Sequence, residues 1–341
     1  MQPIARFCQQ VIATVCSMPS LRTTGNYFIV NLSLADLLVT MVTQPSSILG
    51  RALFGEEWFD ARPVVCSVVG TLCAMGCIAS TWNICMISVN RYILICRYHV
   101  YSKIYTKRNT ILLCLSVWIL IYLIEMPNHI GWGDTRFSEV FFVCTFANHV
   151  HSFALFYILV GVMIPVSVSC AAYIGIFKRV RTSNLVRNRI LNAAEAGKPQ
   201  KGPSKDAKMT LGEFHRNVRV ARVLFRVFVI FIVMWVPVAV LILMGMGKQV
   251  DYVWYILTVL LAHGNSSVNC VVYALSLDHF REGYATLLHI NVSHKMKRNT
   301  VSLVDSTTRP RGCVSTVSGQ IAPAGLKVVR ALNQPSRPEP N

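Results

Sequence analysis

The chain has 341 residues, of which 53% are hydrophobic and 14% are charged, and its mean hydropathy is +0.48. This composition is too apolar for an ordinary soluble globular protein and is typical of a membrane protein. The net charge of +18 does not indicate a nucleic-acid partner, because the Lys and Arg residues lie between apolar segments and in the tail, as membrane topology requires.

Six apolar stretches are long enough to cross a hydrocarbon core of about 30 Å as helices. They are residues 27–49, 64–89, 110–126, 153–177, 223–246 and 253–275. A shorter apolar stretch, residues 11–16, precedes them and predicts part of a further helix. The sequence therefore predicts six complete membrane-spanning helices and an incomplete first one.

The connections between these stretches differ in charge. Lys and Arg are concentrated after residues 64–89 and in residues 178–222, whereas Glu56, Asp134 and Asp251 lie in the opposite connections. Basic connections remain in the cytosol during insertion. We therefore expect a multi-pass plasma-membrane protein with a cytosolic carboxyl terminus.

Three regions near the cytosolic side are predicted to lie outside the membrane core. Residues 179–216 are rich in Lys, Arg, Gly and Pro, which predicts a cytosolic loop with a mobile centre. Residues 278–288 have the spacing of a short amphipathic surface helix, so membrane lipid is an expected partner. Residues 289–341 are polar and basic and are predicted to be a disordered tail.

Asp36 lies within an apolar run, where a carboxylate costs several kcal/mol unless polar partners or an ion offset it. Ser80, Asn265 and Asn269 are polar residues within other apolar segments. They predict a polar cluster that a sodium ion, or protonation of Asp36, would complete; no other cofactor is expected. A polar contact that only fixes helix packing remains an alternative.

Cys66 and Arg91 mark opposite ends of one predicted helix, because about 25 residues of helix span roughly 37 Å. Most of the 12 cysteines lie inside apolar segments, where a thiol behaves as a small hydrophobic group. Cys66 and Cys144 fall at the predicted outer face, where an oxidising exterior permits a disulfide. Arg91 alone at a helix end would indicate only a membrane anchor.

Taken together, these residues resemble the rhodopsin-like G-protein-coupled receptors over roughly residues 11–288. The matching positions are Asp36 in the second helix, Cys66 and Asn90-Arg91-Tyr92 in the third, Trp118 and Pro127 in the fourth, Pro165 and Tyr173 in the fifth, Phe231, Trp235 and Pro237 in the sixth, and Asn269 and Tyr273 in the seventh. The resemblance implies an all-α bundle of seven transmembrane helices, with a truncated first helix in residues 1–20, a receptor core in residues 21–288 and a tail in residues 289–341.

The truncation follows from alignment with the family. Phe7 and Cys8 occupy the place of the first-helix Gly-Asn pair, and the few residues before them give only about 9 Å of helix.

The resemblance also implies site roles. The G-protein switch is expected to comprise Asn90, Arg91, Tyr92, Tyr173, Asn269 and Tyr273, and the activation hinge Phe231, Trp235 and Pro237. Cys66 and Cys144 are expected to form a disulfide. Asn90 replaces the commoner Asp, and Asn217 stands at the sixth-helix acid position, so we expect a weakly latched inactive state.

Melatonin receptors are the branch that this chain resembles in detail, through Asn90-Arg91-Tyr92 and the missing Pro between Asn269 and Tyr273. This branch implies coupling to inhibitory G proteins. Its ligand-contacting Asn matches Asn128, but its loop Gln and fifth-helix His align with Asn148 and Gly161, so the resemblance does not extend to melatonin as ligand. We expect an extracellular small molecule, apolar or weakly polar, in a pocket lined by Cys73, Cys77, Asn128, Asn148, Tyr157, Trp235, Ile242, Tyr255, Val259 and His263.

Other functions fit the sequence less well. Cys73 replaces the carboxylate of amine receptors, and His263 replaces the retinal-binding Lys of opsins. A receptor of the same family for a lipid or peptide, and a signalling-impaired truncated isoform, remain open. A transporter needs ion-path residues on several helices, whereas Asp36 and Glu125 are the carboxylates well inside or near the ends of the crossings.

An enzyme is not expected, because the sequence has neither a paired His and carboxylate nor a metal-spaced cluster. Ser and Thr residues of the tail are expected to recruit receptor kinases and arrestin.

Overall fold

The computed structural model describes residues 2–50, 55–138, 143–146, 151–195, 211–243 and 251–276. These residues belong to one compact unit, Met1–Val292. Its helices are α1 (Gln2–Ser17), α2 (Thr24–Leu38), α3 (Gln44–Leu49), α4 (Gly55–Asp60), α5 (Pro63–Cys96), α6 (Tyr98–Ile104), α7 (Lys107–His129), α8 (His151–Ile158), α9 (Ile164–Glu195), α10 (Leu211–Leu243) and α11 (Tyr252–Ser276). Its strands are β1 (Thr135–Ser138) and β2 (Val143–Phe146).

Within the described ranges, six helical segments are long and apolar enough to cross a membrane. They are Thr24–Leu49, Pro63–Cys96, Lys107–His129, His151–Asn184, Gly212–Leu243 and Ile256–Tyr273. Each overlaps one of the six predicted apolar stretches. The 16-residue α1 overlaps the predicted partial helix, and α5 lies centrally, in contact with α2, α7, α9 and α10.

Two of the six segments contain a π-helical turn, Val39–Thr43 and Leu159–Met163. Each turn lies just before a proline, Pro45 in α3 and Pro165 in α9. Proline lacks an N–H group and its ring clashes with the carbonyl four residues earlier, so the preceding turn of helix widens. The two widened turns pack against α5, next to the predicted ligand pocket.

A polar junction fixes α2 against α5 and α7. The Asn31 Nδ2 donates to Asn83 Oδ1 at 2.7 Å, and the Trp118 Nε1 donates to Asn31 Oδ1 at 2.9 Å. All three side chains lie among apolar residues, where an amide stays buried only if its hydrogen bonds are made. The junction therefore specifies how these three helices align.

The strands β1 and β2 form an antiparallel hairpin in which Phe137 is paired with Cys144. A disulfide joins Cys144 to Cys66, near the start of α5, and confirms that prediction. Phe137 also stacks on Phe59 of α4 at 4.8 Å between ring centroids. The hairpin is a short addition to the predicted helical bundle, held against α5 by the disulfide.

The predicted cytosolic loop, residues 179–216, is helical at both of its ends. The helix α9 continues to Glu195 and α10 begins at Leu211. The centre of that loop, the predicted surface helix at residues 278–288 and the predicted tail lie outside the described residues.

Candidate functional site

Arg91 lies near the end of α5 and is 8% exposed. Its guanidinium group lies near the hydroxyl groups of Tyr101, Tyr173 and Tyr273, which come from α6, α9 and α11. Its Nη2 atom lies 2.8 Å from the position that a Cβ atom would occupy on Gly25 of α2. No carboxylate of the described residues forms an ion pair with Arg91. Packing and tyrosine dipoles therefore hold this cation.

The Asn90 side chain forms its hydrogen bond with Tyr101 and not with its neighbour Arg91. Its Nδ2 donates to the Tyr101 hydroxyl at 3.3 Å, and that hydroxyl lies 3.0 Å from Thr24 Oγ1. Burial beside this network raises the pKa of Tyr105, between α6 and α7, to about 12, so its hydroxyl stays protonated. The network ties α5 to α6 and α2 and leaves Arg91 outside it.

Tyr92 and Asn217 complete the predicted surroundings of Arg91. The Tyr92 ring packs closely against Gly175 of α9, and Asn217 of α10 is half-buried. The weak latch predicted for the inactive state remains a prediction.

The predicted cluster around Asp36 is assembled from three helices. Asp36 is fully buried in α2, and its Oδ1 accepts a hydrogen bond from Ser80 Oγ of α5 at 2.9 Å. Asn269 Nδ2 of α11 donates to Asp36 Oδ2 at 3.2 Å. Asn265 is also buried, but its Oδ1, like that of Asn269, has no hydrogen-bond partner among the described residues.

The predicted hinge residues stack along α10. The Phe231 and Trp235 rings are stacked at 5.8 Å between centroids, and Pro237 follows inside the same helix. Trp235 packs on one side against Val39, Cys73 and Cys77. It thus lies between the predicted pocket and the interior of the bundle.

A second aromatic contact continues towards Arg91. Phe228, about one turn from Phe231, stacks on Tyr173 of α9 at 5.4 Å, and Tyr173 lies near the Arg91 guanidinium. The pocket and Arg91 are therefore joined by successive packed side chains.

The predicted pocket residues meet in two groups. Cys73 and Cys77 of α5 face His263 of α11, with Cys73 Sγ 4.0 Å from His263 Nε2. Val259 packs with Trp235 and Ile242. Tyr157 donates its hydroxyl to the Ala74 carbonyl at 2.9 Å. Asn148 and the side chain of Tyr255 lie outside the described part of the chain.

Asn128 is held by its own surroundings. Its Nδ2 donates to Glu125 Oε1 at 3.0 Å and to Thr135 Oγ1 of β1 at 2.8 Å. Its Oδ1 has no hydrogen-bond partner within the described ranges. This oxygen is buried and packs closely against Gly133.

Gly161 lies in the π-helical turn before α9, and the Ile78 side chain packs closely against it. A Cβ atom there would lie 3.1 Å from Ile78 Cδ1 and 3.2 Å from Ile78 Cγ1. Ile78 therefore fills the space in which the aligned histidine of melatonin receptors would begin.

Several features of the site were not predicted from the sequence. Gly25, Thr43 and Tyr101 have ordinary sequence surroundings, and only the tertiary packing brings them to Arg91 or Cys73. A groove of about 890 Å³ between α9 and α10 was also missed, because it depends on how the two helices diverge. The groove is lined by Tyr173, Phe177, Arg181, Arg222, Phe225 and Phe228, among others.

Comparison with known proteins gives a consistent assignment. Residues 10–273 match the family described as "7 transmembrane receptor (rhodopsin family)". The melatonin receptor type 1C of Xenopus laevis is 29% identical over 285 residues, which cover 82% of this chain and 63% of that receptor. The melatonin receptor type 1B-A of Danio rerio is 31% identical over 242 residues, which cover 71% of this chain and 76% of that receptor.

The fold also matches a solved structure. Squid rhodopsin superposes with a TM-score of 0.68 at 21% sequence identity, and the match covers 90% of this chain and 88% of that one. This likeness confirms the predicted seven-helix bundle.

Proposed function

Because the chain belongs to the rhodopsin-like family of seven-transmembrane receptors, in its melatonin-receptor-like branch, we propose that it activates a heterotrimeric G protein of the inhibitory class in response to an extracellular small molecule. Its family consists of multi-pass membrane receptors rather than enzymes or transporters.

The proposed orientation puts the Arg91 end of the bundle in the cytosol and the disulfide end outside the cell, in the plasma membrane. The distribution of Lys and Arg over the connections supports this orientation. It also gives the carboxyl-terminal tail to the cytosol, where we expect receptor kinases and arrestin to act on its Ser and Thr residues.

The observation that carries the proposal is the packed connection from Trp235 to Arg91. Trp235 packs with the pocket thiols and stacks on Phe231. Phe228, one turn from Phe231, stacks on Tyr173 beside Arg91. A ligand that binds one arrangement of Trp235 more tightly shifts the population of that arrangement. Because α10 carries the aromatic stack, its movement would alter the packing around Arg91 and open a cavity for a G-protein helix.

The ligand class follows from the pocket lining. The described pocket residues are two thiols, aromatic rings, aliphatic side chains, one imidazole and one amide, and no described carboxylate is among the predicted contacts. Such a lining favours a small molecule with an apolar body and few polar groups. Since Ile78 occupies the space beside Gly161, we expect a ligand that differs from melatonin in shape at this side.

Sodium is the ion that we propose for the Asp36 cluster. The donor atoms are oxygens of a carboxylate, a hydroxyl group and two amides, and hard cations prefer such ligands. The unbonded Oδ1 atoms of Asn265 and Asn269 would complete the ligand set with Asp36 and Ser80. The ion would neutralise the buried carboxylate and stabilise the arrangement of α2, α5 and α11 in which these residues meet.

The proposal is tested by basal signalling in cells that express the full chain. We expect it to lower forskolin-stimulated cAMP, and we expect pertussis toxin, which inactivates inhibitory G proteins, to abolish this effect. Arg91→Ala should abolish it too, while Arg136→Ala, an exposed arginine in the hairpin, should leave it unchanged. Equal cAMP levels for the unmodified chain and Arg91→Ala, at matched surface expression, would contradict the proposal.

A further inference from the structure

We propose that Cys73, Cys77 and His263 form a binding site for a single Zn²⁺ ion between α5 and α11. The site lies within the predicted ligand pocket, but it does not depend on the identity of an organic ligand or on G-protein coupling.

The three ligand atoms are already close together. Cys73 and Cys77 are four residues apart, so both thiols project from the same face of α5. His263 approaches from α11, and the two Sγ atoms and an imidazole nitrogen all lie within 4.8 Å of one another. In a tetrahedral zinc site, with Zn–S near 2.3 Å and Zn–N near 2.0 Å, ligand atoms are separated by about 3.5–3.8 Å. Small side-chain rotations that displace the ligand atoms by up to about 1 Å therefore suffice for coordination.

The chemistry of the three groups selects zinc over the hard cations. Thiolate and imidazole bind Zn²⁺ well, whereas Mg²⁺ and Ca²⁺ require oxygen ligands. Two thiolates and a neutral imidazole around Zn²⁺ give a net charge of zero. Neutrality matters here because Cys73 and Cys77 are buried and a net charge inside the bundle is costly.

Thr43 provides a second, independent observation. Its hydroxyl group is fully buried in the π-helical turn of the second membrane segment and has no hydrogen-bond partner among the described residues. It lies beside the Cys73 thiol, at the limit of hydrogen-bond geometry. A thiolate bound to zinc is a stronger hydrogen-bond acceptor than a thiol, so metal binding would strengthen this contact.

The position of the site gives the ion a consequence for signalling. Trp235 packs directly against Cys73 and Cys77. Zinc would link α5 to α11 at the level of this hinge residue and favour the arrangement in which the three ligands converge. Three protein ligands also leave a fourth position for water or for a donor atom of the receptor's own ligand.

The experiment uses the full chain, purified in lipid nanodiscs and freed of metal, with Co²⁺ as the spectroscopic probe for Zn²⁺. We expect one Co²⁺ per receptor with a thiolate-to-cobalt charge-transfer band and the intense visible bands of tetrahedral cobalt, both removed by stoichiometric Zn²⁺. His263→Ala and Cys77→Ala should each weaken binding by more than about 100-fold, since even supporting residues around a metal change its affinity by 10–100-fold.

The matched control is Cys85→Ala, which removes another buried thiol of α5 about two turns away. It should leave the spectrum and affinity unchanged. Thermal unfolding of each variant shows whether it is folded, and Cys77→Ser replaces Cys77→Ala if the latter is not.

Two results would overturn the proposal. The first is the absence of a thiolate-to-cobalt band in the folded receptor. The second is a band that persists in folded His263→Ala and Cys77 variants, which would mean an adventitious ion only, bound by other cysteines of the chain.

Discussion

Gly25 gives the sharpest test of how Arg91 is held, because the glycine and the guanidinium group are in direct contact. In Gly25→Ala, the added methyl group would lie 2.8 Å from Arg91 Nη2, 3.3 Å from Cζ and 3.4 Å from Nη1. Normal contact distances of about 3.5–4.0 Å require the guanidinium group to move by roughly 1 Å. A flexible side chain at the surface would move aside at little cost, but the Arg91 side chain is buried. We therefore expect Gly25→Ala to destabilise the arrangement in which Arg91 contacts α2 by about 1–2 kcal/mol, the lower part of the range for overpacking.

The cost changes the balance between receptor states. If Arg91 leaves Gly25 on activation, a destabilisation of 1–2 kcal/mol raises the population of the active state by about 5–30-fold. We therefore expect Gly25→Ala to increase basal inhibition of cAMP production and to lower the unfolding temperature of the purified receptor by a few degrees.

Gly212→Ala is the matched control, since nothing lies within 4 Å of the added Cβ atom at that exposed position of α10. Gly25→Ala in an Arg91→Ala background is the second control, because the clashing atoms are then absent. The reasoning is refuted if Gly25→Ala behaves like Gly212→Ala in both assays, or if its cost persists without Arg91.

Three further substitutions test other parts of the site. Cys144→Ala should lower the free energy of unfolding by about 2–4 kcal/mol, because it opens a disulfide between residues 78 apart. A thermal unfolding scan of purified receptor checks this, and reductant should destabilise the unmodified receptor more than the variant. Asp36→Asn removes the carboxylate that accepts hydrogen bonds from Ser80 and Asn269, so sodium should no longer raise the unfolding temperature. An equal sodium effect in the variant would exclude the proposed ion. Trp118→Phe leaves Asn31 Oδ1 without its donor and should cost about 1–3 kcal/mol, while Trp132→Phe, which loses a bond between exposed side chains, should cost less.

The long apolar helices were predictable because the length of each apolar stretch in the sequence indicates the length of its helix. Each predicted stretch overlaps a helical segment that is long and apolar enough to cross a membrane. The position of Cys66 and Cys144 at one face permitted the disulfide, and the family resemblance implied it. The widened turns before Pro45 and Pro165 were missed. A proline in a helix can kink it, break it or widen it, and the neighbouring helix determines which of these occurs.

The contacts that define the candidate site depend on distant parts of the chain. His263 meets Cys73 although 190 residues separate them, and spacing along the sequence therefore revealed no metal-type cluster. Asn90 was expected to matter by failing to pair with Arg91. Its bond to Tyr101, which in turn meets Thr24, depends on how α6 folds back, and no local pattern predicts that.

Several buried polar atoms have no hydrogen-bond partner among the described residues, and each proposal would give partners to some of them. Among the described residues, nine of the twelve such atoms belong to the predicted site or its surroundings, and the other three are on Thr14, Ser47 and Trp82. A buried polar atom without a partner costs about 1–3 kcal/mol. The proposed sodium ion would engage Asn265 and Asn269, and the proposed zinc site would engage Thr43. A rearrangement of the bundle around Arg91 would let the hydroxyl groups of Tyr173 and Tyr273 reach new partners. The unbonded atoms at these places are Thr43 Oγ1, Asn90 Oδ1, Arg91 Nε, Glu125 Oε2, Asn128 Oδ1, Tyr173 Oη, Asn265 Oδ1, Asn269 Oδ1 and Tyr273 Oη.

These unbonded atoms bear on Arg91, the residue predicted to act as the G-protein switch. Three of these atoms are on Asn90, Tyr173 and Tyr273, which neighbour Arg91, and the fourth is the Nε of Arg91 itself, a cation that no described carboxylate neutralises. The described arrangement is therefore not the one that best satisfies the polar groups at this end of the bundle. A partner that supplies carbonyl or carboxylate oxygens to Arg91 gains the hydrogen bonds that the receptor alone leaves unmade, and the carboxyl end of an inserted helix offers such oxygens.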